Sequence, residues 1–171
     1  MDTLEALFTR RSVRRYSGRK VEKELINELI KAGMYAPSAC NKQPWHFVVI
    51  DDQDVLNEIA AFHPNAKMLK NAACAILVCG DEVKAHDKGY WPVDCSAATE
   101  NILLAAHAKG LGACWIGIYP REERIAAMKK LMNLPEHVHA FSVISLGYAD
   151  DEPTALTNRF DGSKIHWNCW K

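Results

Sequence analysis

The sequence predicts a single domain, residues 1–171, that mixes α-helices with β-strands. Three observations lead there. Apolar residues recur at helical spacing in residues 21–35, 51–62 and 93–109. Strand-like apolar stretches stand at residues 47–50, 73–80, 113–117 and 138–147, the second of them continuously apolar. Gly, Pro and short polar residues separate the two kinds of run. With 171 residues, 49% apolar and 25% charged, the chain has the makeup of a soluble globular protein with a real core.

Composition also excludes. The formal net charge is zero, so no global field recruits nucleic acid or an anionic membrane. No run approaches the roughly 20 apolar residues that span a bilayer. The N-terminus, with Asp2 and Glu5, lacks the basic and apolar regions of a secretory signal, which makes the cytoplasm the expected location. Six cysteines stand at 40, 74, 79, 95, 114 and 169. None forms a C-x-x-C pair and no zinc-ribbon spacing is present, so most are expected as free buried thiols and no metal is expected.

Residues 2–8 read as a short helix. Asp2 and Glu5 resemble a capping box, and Leu4, Leu7 and Phe8 form an apolar face. Residues 10–20 then hold six of the 21 Lys and Arg residues and no acid. If residues 12–16 are extended, Ser12 and Arg14 share a face, with Arg10 and Arg11 beside them at the helix end. Guanidinium forks with a hydroxyl suit a phosphate. The segment reads equally as a solvated basic stretch favoured by the helix dipole.

Residues 21–35 place Leu25, Ile26, Leu29, Ile30, Gly33 and Met34 on one stripe. Residues 36–46 cannot continue that helix, because Pro37 and Pro44 interrupt it. The loop offers the Ser38 hydroxyl and the Asn41 and Gln43 amides, a set able to read a flat heterocycle. A capped turn that satisfies its own backbone is the other reading. Residues 51–62 form a helix broken by His63, Pro64 and Asn65. Residues 73–80, apolar throughout, read as a central strand covered on both faces.

Residues 81–92, with Gly89 and Pro92, read as a loop. The helix at 93–109 is apolar nearly all round and rich in alanine, which points to burial in a core or in a subunit interface. Gly110 and Gly112 end it. Pro120 opens a helix that Leu134 and Pro135 close, and the last strand is Val138–Gly147. From Tyr148, through Asp150, Glu152 and Pro153, the chain is polar and irregular, and the tail ends with Trp167 and Trp170, which need a cover such as a partner subunit.

Taken together, the sequence resembles the nitroreductase family of FMN-dependent oxidoreductases. The resemblance rests on Arg10, Arg11, Ser12, Val13 and Arg14, on Ala36-Pro37-Ser38 followed by Asn41-Lys42-Gln43-Pro44-Trp45, on residues 112–120, and on Leu146-Gly147-Tyr148 and Asn158-Arg159. No G-x-G-x-x-G follows a strand and no P-loop motif is present.

The resemblance implies an α+β fold with a mostly antiparallel central sheet flanked by helices. It implies an obligate homodimer with a C-terminal arm crossing to the partner. FMN would be the cofactor, with NAD(P)H and a nitroaromatic, quinone or similar acceptor reacting by a ping-pong mechanism. Arg10, Ser12 and Arg14 would hold the phosphate and ribityl end, with Arg11 near it and Arg159 as a late phosphate ligand. Pro37, Ser38, Ala39, Asn41 and Gln43 would reach the flavin from the other subunit, Ala39 replacing a serine of many relatives. Asn65 and Lys67 would meet the ring edge, and Trp115, Ile116 and Gly117 would line the ring. No side chain is expected to be the catalytic acid or base. Related readings keep the fold with reductive dehalogenation or flavin breakdown, or make the protein a non-catalytic FMN-binding dimer.

Overall fold

The computed structural model describes residues 1–87, 89–151 and 158–170. Of the polar stretch expected after Tyr148, Glu152 and Pro153 lie outside the described residues. Four strands form one sheet: β1 (Trp45–Ile50), β2 (Cys74–Asp81), β3 (Gly112–Gly117) and β4 (Val138–Gly147). Their order is β1-β2-β4-β3, and every neighbouring pair is antiparallel. Five α-helices accompany them: α1 (Thr3–Thr9), α2 (Lys23–Met34), α3 (Gln53–Phe62), α4 (Trp91–Ala108) and α5 (Glu122–Met132).

β2 and β4 sit inside the sheet, which explains the unbroken apolar run of β2 and the burial of nearly all of β4. Alternation sends Cys74, Ile76 and Val78 of β2 to one face, where they join Leu29 of α2 and Ile102 of α4. Ala75, Leu77 and Cys79 go to the other face and join Leu56 and Ile59 of α3 and Met128 of α5. The sheet is thus covered on both sides, as the sequence of β2 predicts.

Local chemistry sets several of the helix ends. Asp2 caps α1 by accepting from the Glu5 N–H at 2.9 Å, as expected. Asp52 does the same for α3 with the N–H groups of Asp54 and Val55. The loop expected at residues 81–92 is shorter: β2 runs on to Asp81, and α4 already begins at Trp91. Pro92 opens this helix instead of preventing it, because the first turn needs no intrahelical N–H. α4 is covered largely by its own chain. Cys95, Ala98, Ile102, Leu103 and Ala106 are buried against α2 and the sheet, leaving Val93 exposed.

Residues 10–16 form a strap that meets β3 at Gly112 and Ala113 and then passes to the end of β4, where Tyr16 pairs with Ala149. The Val13 N–H donates to Ala113 O at 2.9 Å, and Tyr16 is buried with its hydroxyl on Ser145. Gly112 makes this close lie possible, since a Cβ there would stand 2.6 Å from Val13 Cγ1. Burial pushes the Tyr16 phenol well above its usual range.

All six cysteines are free; four are buried and Cys40 and Cys169 are exposed. Burial pushes the thiols of Cys74 and Cys79 up to about 11 and about 12, so they stay protonated and unreactive. Among the described residues no group of His, Cys, Asp and Glu could hold a metal ion. No described helix is long and apolar enough to cross a membrane.

A polar cluster closes the end of β2. The Asp81 carboxylate accepts from the N–H groups of Val83 and Lys84 and faces His46 at 3.4 Å, Lys84 Nζ at 3.7 Å and His137 at 4.0 Å. Burial opposes its charge, but the Lys84 and Val83 N–H groups, His46 and His137 outweigh it and hold the carboxyl below its ordinary 3.8. A depressed carboxyl stabilises the fold above its unfolded value and loses that contribution as pH falls through its folded value. The stability difference between wild type and Asp81→Asn should therefore shrink as pH falls below 3.8, as read by denaturant melts across pH. A difference that persists unchanged into strong acid would rule the ionic account out.

Candidate functional site

The outer edge of β3 carries the candidate site. Strand alternation turns the backbone groups of Cys114 and Ile116 toward β4 and those of Ala113, Trp115 and Gly117 outward. Ala113 O is taken by Val13. Gly117 O accepts from His63 Nε2 at 2.9 Å and from Arg124 Nη1 at 3.0 Å. Between these two ends Trp115 presents an N–H and a C=O, and Gly117 an N–H, to a cleft of about 550 Å³.

Arg14 stands on the cleft wall at the strap, Asn65 and Lys67 on the turn after α3, and Arg124 on the first turn of α5. Three cations therefore line one cleft, and no carboxylate appears among its described lining residues. Arg124 Nε is buried and makes no hydrogen bond among the described residues. Strand-edge donors beside unopposed cations suit a flat ligand with a donor and acceptor edge and negative charge.

The structure thus brings Arg14, Asn65, Lys67, Trp115, Ile116 and Gly117 together. Ser12 lies next to them, bridged to Ala113. Arg10 and Arg11 lie farther back, at the end of α1: Arg10 Nε faces Glu100 at 3.4 Å, and Arg11 Nη1 donates to the carbonyls of Phe8 and Arg10. Near them, burial first and then the Arg10 and Arg11 charges push the His107 ring below its usual value. Arg159 is exposed on the tail.

The loop with Pro37, Ser38, Ala39, Asn41 and Gln43 lies elsewhere. It feeds β1, the edge strand opposite β3. Its polar groups hold one another: the Gln43 N–H donates to Ser38 Oγ and the Gln43 amide to Asn41 Oδ1, both at 2.9 Å. Cys40, Asn41 and Gln43 all take left-handed backbone, with φ of 49°, 53° and 49°. Such strain in non-glycine residues is a mark of functional segments. Buried Asp94 of α4 fixes the loop by accepting from the Ala39 N–H at 2.9 Å.

His63, Arg124 and Asp94 escape the sequence reading. For Arg124 a signal exists: a cation in the first turn of a helix opposes the helix dipole and needs another reason to be there. His63 gives only its helix-breaking context.

The nitroreductase family model matches residues 7–63 and 60–148. The chain belongs to the nitroreductase family. Nitroreductases are oxidoreductases, and this chain is an enzyme of that kind. It is 46% identical over 170 residues to a Methanothermobacter thermautotrophicus protein provisionally named NADH dehydrogenase/NAD(P)H nitroreductase, a match covering 99% of this chain and 88% of that one. The solved structure of an FMN-dependent nitroreductase from Clostridium difficile superposes with a TM-score of 0.90 at 32% identity, covering 98% and 99% of the two chains. A Desulfovibrio desulfuricans protein described as a nitroreductase, solved in complex with FMN, gives 0.85 at 28% identity, covering 100% of this chain and 99% of that one.

Proposed function

We propose that this chain is a cytoplasmic, FMN-dependent NAD(P)H oxidoreductase that works as a homodimer and reduces a nitroaromatic, a quinone or a similar small acceptor. The observation that carries this reading is the cleft on the outer edge of β3, lined by backbone donors and three cations with no carboxylate among its described lining residues. Bound FMN would supply the chemistry, taking hydride from NAD(P)H and passing the electrons to the acceptor in ping-pong order.

The residues present fit such a ring and tail. Trp115 and Gly117 would meet the ring through their outward backbone groups. Asn65 and Lys67 would face its electron-rich edge, where a donor aimed at developing negative charge in a dry site is worth several kcal/mol. Ser12 and Arg14, with Arg10, Arg11 and Arg159, would take the phosphate and ribityl end.

The strained loop of Pro37, Ser38, Ala39, Asn41 and Gln43 would complete the ring site from a second copy. Support for the second copy comes from topology: loop and cleft belong to opposite edge strands of one sheet. It also comes from uncovered apolar surface. Leu4, Leu7 and Phe8 of α1 are exposed, and Trp167 and Trp170 of the tail are 79% and 86% exposed. A tail crossing to the partner as an arm would cover such surface.

Adding the purified protein to FMN should quench flavin fluorescence with one FMN per chain. Anaerobic NADH or NADPH should then bleach the bound flavin, and a panel of nitroaromatics and quinones should restore its colour. FMN fluorescence unaffected by excess protein would end this reading.

A further inference from the structure

We propose that His63 and Arg124 are positioning residues that withdraw the Gly117 carbonyl from service as a ligand acceptor, so that this end of the cleft offers donors alone. The role of the ligand rests on the FMN reading above.

His63 is 1% exposed. Its Nδ1 accepts from the Asn65 N–H at 3.2 Å, and a backbone N–H can only donate. The ring proton therefore sits on Nε2, which donates to Gly117 O at 2.9 Å. Arg124 Nη1 donates to the same oxygen at 3.0 Å. A carbonyl has two lone pairs, and these two donors occupy both. His63 also ties the turn bearing Asn65 and Lys67 to the end of β3, which fixes the spacing of two cleft walls.

The consequence is electrostatic. Without these donors, an outward carbonyl at the strand edge would point a bare negative dipole at the ligand. With them, the end presents the Gly117 N–H and a guanidinium whose Nε is buried and unpartnered among the described residues. That arrangement favours whichever form of the ring carries more negative charge. Arg124 and His63 thereby strengthen the hold on reduced FMN more than on oxidised FMN, and raise the potential of the couple.

The test measures FMN affinity by fluorescence titration, the two-electron potential by dye-equilibrated reduction, and the melting temperature of the FMN-free protein. Arg124→Met should lose about tenfold in affinity for reduced relative to oxidised FMN, equivalent to about 30 mV toward more negative potential. Arg124→Lys, which keeps one charged donor, should recover part of that shift. Arg124→Gln, which keeps a donor for Gly117 but no charge, should show a smaller shift than Arg124→Met, and it stands as the test if Arg124→Met fails to fold. Wild-type protein that binds FMN, with variants whose potential equals wild type, would overturn this proposal and leave the function intact. Wild-type protein that ignores FMN would overturn both.

Discussion

Arg14→Ala is expected to weaken FMN binding by ten- to about a hundredfold while leaving the melting temperature in place. The size follows from one charge-assisted contact, about 1.5–3 kcal/mol, with about 1.4 kcal/mol per tenfold. The selectivity follows from the strap. Val13 bonds to Ala113 and Tyr16 is buried under Ser145, so the backbone that carries Arg14 is fixed by its neighbours. Arg14 itself is exposed on the cleft wall, and its side chain supports no core contact. Fluorescence titration with FMN reads the change. Equal dissociation constants for variant and wild type would remove Arg14 from the site and with it the assignment of the cleft's cationic wall.

Gly80→Ala should produce the largest loss of stability. Gly80 lies on the central strand β2 directly beneath the indole of Trp91, and a Cβ there would stand 2.2 Å from Cε3 and 2.8 Å from Cδ2. The indole has little freedom to retreat, because Tyr119, His139 and Phe141 surround it with ring centroids 5.0, 5.4 and 6.2 Å away. Overpacking of this kind costs about 1–3 kcal/mol. At about 2–4 °C per kcal/mol for a chain of this size, thermal melts should fall by roughly 2–12 °C. Trp91 opens α4, and Asp94 three residues later holds the Ala39 N–H, so the strained loop should loosen as well. A melting temperature equal to wild type would show that the indole yields without cost.

What could be read from the sequence was what depends on neighbours along the chain. The Asp2 cap follows from Glu5 three residues on, and β4 occupies Val138–Gly147 as its apolar run indicates. β2 declared itself central by being apolar on both faces. Pro92 misled because a proline in the first turn of a helix and a proline in a loop look alike until the helix partner is known. The site was legible in halves. Arg14, Asn65, Lys67 and residues 115–117 meet in one cleft, whereas the amide loop joins the opposite edge of the sheet. The strand order that separates them is a property of long-range pairing, which spacing along the chain does not encode. His63 and Arg124 were hidden for the same reason: 61 positions apart, they meet only on the oxygen of Gly117.

The separation of loop and cleft has a thermodynamic consequence. On the dimeric reading, a solitary chain owns two incomplete recognition surfaces facing different directions, and neither can retain the cofactor alone. Flavin occupancy and subunit association then become one linked equilibrium, so each strengthens the other by mass action. Diluting the enzyme should bleed off its colour, and adding excess FMN should pull the subunits back together.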